Sequence, residues 1–124
     1  MSLTSRLRSF RFAFAGVATL LRTQPNARIH AVFTLAVIAL GVFLRLTAAE
    51  WCWMVLAITA VLVAEALNTS LEFLADAACP ERHPLVKNAK DVAAAAVLVA
   101  AIGAAVIGLL VFGPRVWAVI GGGP

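Results

Sequence analysis

VAAAAVLVAAIGAAVIGLLVFGP, residues 92–114, contains no charged side chain. As a helix rising about 1.5 Å per residue it is about 34 Å long, enough to cross a hydrocarbon core of about 30 Å. Charge brackets it on both sides: Lys87, Lys90 and Asp91 come just before, and Arg115 follows. Such a segment has no place in a small soluble domain. The composition agrees: of 124 residues 63% are hydrophobic and 13% charged, and the mean hydropathy is +0.99. Soluble domains run at about 45–50% apolar and about 25% charged. The chain is therefore expected to be an all-α membrane protein with a single domain over residues 1–124, and the position of its few charges becomes the question.

Two further apolar runs precede this one. Ala31–Leu44 is uncharged, and it reaches Ala49 if Arg45 snorkels at the border. Trp51 and Trp53 open the next, as interfacial aromatics do, and it stays uncharged until Glu65. The expected spans are 28–48, 51–77 with a cytoplasmic extension, and 84–113. Residues 1–24 do not read as a secretory leader, since Arg11 and Arg22 interrupt any apolar centre. Leu3, Leu7, Phe10, Phe14, Val17 and Leu21 instead fall on one helical stripe with arginines beside it. That pattern predicts an amphipathic helix over about 3–23, lying in the headgroup plane. Phe12 points away from the stripe, so either protein packing or contact with a ligand must account for it.

The ten Lys+Arg outnumber the six Asp+Glu, giving a net charge of +4. The basic residues flank apolar runs and do not form a patch, so they read as topology signals and not as a nucleic-acid surface. With three spans, Arg6, Arg8, Arg11, Arg22, Arg28, Arg82, Lys87 and Lys90 share one face, and Arg45 and Arg115 the other. The crowded face is expected to be cytoplasmic. Every acid except Glu50 lies in that half too, which topology does not explain. Cys52 and Cys79 lie about 40 Å apart on one continuous helix, too far for a disulfide.

Glu65, Asn68, Glu72 and Asp76 stand at i, i+3, i+7 and i+11, within about 80° of one another on a helix. They form an acidic seam running from the cytoplasmic boundary into the membrane. Glu65 is the deepest, where an ionisable group costs at least about 2.5 kcal/mol on insertion scales. Asp76 also reads as simply solvated at the end of the helix. Clustered hard oxygens suit Mg²⁺ together with phosphate oxygens, and a deep carboxylate suits a general base. Pro84 fits a first helical turn, after which Lys87, Lys90 and Asp91 share a face. Lysines beside an acidic, metal-capable seam make a phosphate site, although juxtamembrane lysines also meet anionic headgroups. No soluble kinase or hydrolase motif is present. Small residues at Ala96, Ala100, Ala104 and Gly108 allow close helix approach, and a homo-oligomer is expected.

The segments Glu-Ala-x-Asn-Thr-Ser-x-Glu-x-x-x-Asp at 65–76 and His-Pro-Leu-x-Lys-x-Ala-Lys-Asp-Val-Ala-Ala-Ala-Ala-Val at 83–97 resemble the bacterial diacylglycerol kinase/undecaprenol kinase family. Ser9-Phe10-Arg11-Phe12-Ala13-Phe14-x-Gly16 and Asn26-x-Arg28-Ile29-His30 extend the resemblance over nearly the whole chain. It implies a homotrimer of three-span subunits in the bacterial inner membrane, with the active site on the cytoplasmic side. The implied reaction moves the γ-phosphoryl of MgATP to diacylglycerol or undecaprenol. By the same resemblance Glu65 is the base, Glu72 a metal ligand, and Lys90 and Asp91 contact the nucleotide, Asp91 also being counted as catalytic. Asn68, counted as catalytic, and Asp76 are further polar positions of the site. Glu81 and His83 lie where the loop approaches ATP, and Phe12 where an aromatic touches the nucleotide. The family carries a second metal-binding glutamate where this chain has Gln24, which offers one neutral oxygen and a weaker hold on Mg²⁺. The His-Pro-Leu-x-Lys and Asn-x-Arg-Ile-His segments lean toward the undecaprenol branch. Two other classes fit parts of the pattern: an impaired relative serving as a structural membrane subunit, argued from Gln24, and an ion or proton conductor lined by Glu65 and Glu72. The lysine-bearing loop favours the kinase.

Overall fold

The computed structural model describes residues 2–122. It comprises four helices, α1 (Leu3–Thr23), α2 (Pro25–Phe43), α3 (Ala48–Ala78) and α4 (Pro84–Ile120), with no strand among the described residues. The helices α2, α3 and α4 are each long and apolar enough to cross a membrane.

Local chemistry sets each boundary. Ser2 caps α1, its hydroxyl accepting from the Ser5 N–H at 3.3 Å. Gln24 alone separates α1 from α2; it is extended, with φ −111° and ψ 109°, because the residue before Pro25 is pushed out of the helical region. Pro25 then occupies the first turn, so α2 starts three residues before the expected 28. It also ends at Phe43, not at 48, and Arg45 does not extend it: that residue takes a positive φ of 54° in a tight turn. The turn hands the chain to a capping box. The Thr47 hydroxyl accepts from the Glu50 N–H at 3.2 Å, and the Glu50 carboxylate accepts from the Thr47 N–H at 2.7 Å. Helix α3 runs unbroken to Ala78, one residue past the expected 77.

At the other end α4 continues through Pro114 to Ile120, beyond the expected stop at 113. A proline is tolerated in a membrane helix packed against neighbours, and the next residue, Arg115, is bonded to two of them. Its Nε and Nη2 donate to the Glu50 carboxylate at 3.0 and 2.6 Å, and its Nη1 donates to the Leu44 carbonyl at 2.9 Å. The last turn of α2, the first of α3 and the distal part of α4 are thereby tied together. Glu50, the one acid at this end of the bundle, has a structural job. Next to this clasp lies the core: Leu46, Met54 and Val111, with Val37, Trp51, Ile107 and Phe112 packed against them. Gly41 lets α2 approach Trp51 closely, since a Cβ there would stand 2.7 Å from the indole.

Elsewhere large apolar side chains are exposed, among them Leu98, Val99, Leu109 and Leu110 on α4. Lipid tails solvate such surfaces, so a membrane chain has no need to hide them. The stripe Leu3, Leu7, Phe10, Phe14, Val17 and Leu21 of α1 is exposed as well, and Phe12, on the other side, is exposed too. Cys52 and Cys79 are free thiols.

Candidate active site

The inward stripe of α3 reads Met54, Ala57, Val61, Glu65, Thr69 at steps of three and four. It begins apolar in the clasped half and turns polar at Glu65. One helix face thus serves as core at one end and as site at the other. Glu65 is 2% exposed and Thr69 4% exposed, both more enclosed than most apolar side chains of the chain. The expected seam is a continuous helical face: Asn68 and Glu72 are half-buried beside Glu65, and Asp76 is exposed at the open end.

The seam is not uniformly satisfied. Asn68 Nδ2 donates to Glu72 Oε1 at 3.4 Å, while Asn68 Oδ1 is buried without a partner. Thr69 Oγ1 is likewise buried and unpaired. An unsatisfied buried polar group costs about 1–3 kcal/mol, and these two belong to adjacent residues. Asn68 Oδ1 and the Glu72 carboxylate are hard oxygens one helical turn apart, the donor type that Mg²⁺ takes. Among the described residues no three His, Cys, Asp or Glu side chains converge into a closed cation cage.

Helix α4 brings its own charges to the seam. Lys90 Nζ pairs with Asp76 Oδ1 across α3 and α4, and Lys87 Nζ pairs with Asp91 Oδ2 at 2.5 Å along α4. Lys90 therefore meets the outer end of the seam, at Asp76. Before them the loop is ordered by its own contacts. The Cys79 thiol lies 3.4 Å from a Glu81 carboxylate oxygen, and His83 caps α4, its Nδ1 accepting from the Leu85 N–H at 3.2 Å. Gln24 sits half-buried at the α1–α2 junction, its amide 3.5 Å from the Thr23 hydroxyl.

Two openings flank the site. A cavity of about 430 Å³ lies between α1 and α3, lined by Gly16, Val17 and Leu20 on one side and Ala66, Thr69 and Phe73 on the other. An apolar groove of about 370 Å³ runs between α2, α3 and α4, from Phe112 in the clasped half to Val61 and His30 near Glu65. His30 is a neighbour of Glu65 that the spacing on α3 could not reveal, because it comes from α2: its Nε2 lies 3.8 Å from Glu65 Oε2. Thr69 is a further polar residue of the site, and its spacing of four from Glu65 on the same stripe is the signal that marks it.

The family model for prokaryotic diacylglycerol kinase matches residues 11–112, from α1 through most of α4. The chain belongs to this family. With three membrane-crossing helices it is a multi-pass protein of the bacterial inner membrane. It is 39% identical over 108 residues to the undecaprenol kinase of Bacillus subtilis (strain 168), covering 87% of this chain and 88% of that protein. It is 44% identical over 101 residues to the diacylglycerol kinase of Synechocystis sp., covering 81% of this chain and 58% of that one. A diacylglycerol kinase of Pseudomonas aeruginosa is 32% identical over 89 residues, 72% of either chain. The matched region contains the whole polar face of α3, together with Lys90 and Asp91 of α4.

Proposed function

We propose that this protein transfers the γ-phosphoryl group of ATP to the hydroxyl of a membrane lipid alcohol, giving phosphatidate from diacylglycerol or undecaprenyl phosphate from undecaprenol. The observation that carries this reading is the enclosure of Glu65 on a helix face that is apolar on one side of it and oxygen-rich on the other. Lipid reaches that point from the bilayer, and nucleotide from the cytoplasm. Two of the flanking charges, Lys90 and Asp91, stand on α4 at the cytoplasmic end of the seam.

Glu65 accepts the proton as the lipid O–H bond breaks and the new O–P bond forms; the bond from the γ-phosphorus to the bridging oxygen breaks and ADP leaves. Phosphoryl transfer demands little covalent chemistry from the protein, so placement and charge neutralisation carry most of the work. Lys90 and Lys87 supply positive charge to the phosphates, and Asp91 sets the position of Lys87. Asn68 orients Glu72 through its amide. Phe12, Glu81 and His83 border the nucleotide. The unpaired Asn68 Oδ1 beside Glu72 fits a magnesium ion, with Gln24 as a weaker second ligand. When bound, such an ion neutralises charge on the transferring phosphates. We expect a homotrimer, since the small residues Ala96, Ala100, Ala104 and Gly108 of α4 allow close helix approach.

The test is direct: purified protein in mixed micelles receives γ-labelled ATP with diacylglycerol in one arm and undecaprenol in the other. Label appearing in lipid, dependent on Mg²⁺, is the expected result, and the productive arm names the acceptor. No transfer in either arm would overturn the reading.

A further inference from the structure

Helix α2 brings a histidine to the neighbourhood of Glu65. His30, in the second turn of α2, places Nε2 at 3.8 Å from Glu65 Oε2, and among the described residues no other cationic side chain comes within 4 Å of that carboxylate. The imidazole is 23% exposed and also lines the apolar groove between α2, α3 and α4. It therefore stands where the groove gives way to the seam.

We propose that His30 is a positioning residue for Glu65: its Nε2–H holds Oε2 and leaves Oε1 to receive the proton of the acceptor hydroxyl. A carboxylate turns in a broad two-fold torsional well about its last bond, so an unrestrained Glu65 presents its acceptor oxygen over a wide arc. A donor on one oxygen fixes the plane of the group. An imidazole Nε2–H is such a donor, and α2 brings it to the face of α3 that carries Glu65. The separation of 3.8 Å is an ion-pair distance, longer than a hydrogen bond of about 3 Å. Catalytic hydrogen bonds are commonly long without substrate and tighten when it arrives. The histidine acts through Glu65 and touches neither phosphate nor metal.

This inference rests on the lipid-kinase reading, and its test separates the two. Wild type, His30→Leu and His30→Gln are assayed in mixed micelles at saturating lipid and varied ATP, with thermal midpoints measured alongside. His30→Leu keeps the bulk and loses the donor; its kcat should fall about 100-fold, the scale of an ångström of misplacement, with KM for ATP and the midpoint unchanged. His30→Gln carries an amide N–H at similar reach and should recover most of the lost kcat. A His30→Leu variant with wild-type kcat overturns the assignment. So does a loss that accompanies a lowered midpoint and that glutamine does not restore, since this is packing. A wild-type protein inactive on both alcohols would remove the kinase reading itself, whatever the variants did.

Discussion

Replacing Glu65 with glutamine keeps the shape of a side chain that is 2% exposed and removes only its charge and its capacity to accept a proton. An ionised carboxylate at the bilayer centre costs about 2.5–3.5 kcal/mol on insertion scales. Glu65 lies in the polar half of α3, short of the depth that figure describes, so relief of about 1–2 kcal/mol is expected on neutralisation. The amide brings an N–H group of its own, and leaving it unpaired returns about 1 kcal/mol. The variant should thus be as stable as the wild type or more so, by up to about 1 kcal/mol. Turnover should fall at least about 100-fold, because an amide cannot take the proton from the acceptor hydroxyl. Nucleotide binding should survive, since Lys87, Lys90 and Asp91 stand on another helix. Reversible unfolding in mixed micelles reads the stability, phosphoryl transfer reads the turnover, and equilibrium binding of a non-hydrolysable ATP analogue reads the third quantity. A glutamine variant with wild-type turnover refutes the base assignment. One destabilised by more than about 2 kcal/mol shows that the carboxylate holds the helices together, and the argument from buried charge fails.

Gly41→Ala would place a methyl group 2.7 Å from the Trp51 indole and 3.0 Å from Leu46 Cδ1. Overpacking of about 1–3 kcal/mol outweighs a helix-propensity gain of about 1 kcal/mol, so unfolding in micelles should shift to lower denaturant; a shift upward would mean the indole moves aside freely. Gln24→Glu adds a charged oxygen at the α1–α2 junction and should lower the Mg²⁺ concentration needed for half-maximal transfer. An unchanged requirement would remove position 24 from the metal site.

Helix count and approximate limits were legible because uncharged runs of this length have few readings; α4 starts at Pro84 as expected, whereas α3 starts at Ala48, three residues before the expected 51. The end of α2 was not legible. Arg45 read as a snorkelling residue inside a longer span, yet Thr47-x-x-Glu50 is a capping signature that places the next helix start at Ala48. The last span was expected to end at 113, whereas α4 continues through Pro114 to Ile120, and there Arg115 meets Glu50, 65 positions away in the chain. In the site, Glu65, Asn68, Glu72 and Asp76 could be aligned because they share one helix and one periodicity. His30 belongs to the Asn-x-Arg-Ile-His segment, yet its partner could not be named, since the angle between α2 and α3 is not encoded in either helix alone. Lys90 was expected within the pocket of Glu65 and Glu72; its partner is Asp76, one turn farther out.

The guanidinium of Arg115 fastens three helices at one pole of the molecule. At the opposite pole a single ion pair, between exposed Asp76 and Lys90, spans α3 and α4 among the described residues. The bundle is built like a pair of tongs, riveted far from the jaws. A force that parts α3 from α4 at the Asp76–Lys90 end therefore acts on a lever whose far end is held by three hydrogen bonds of one side chain.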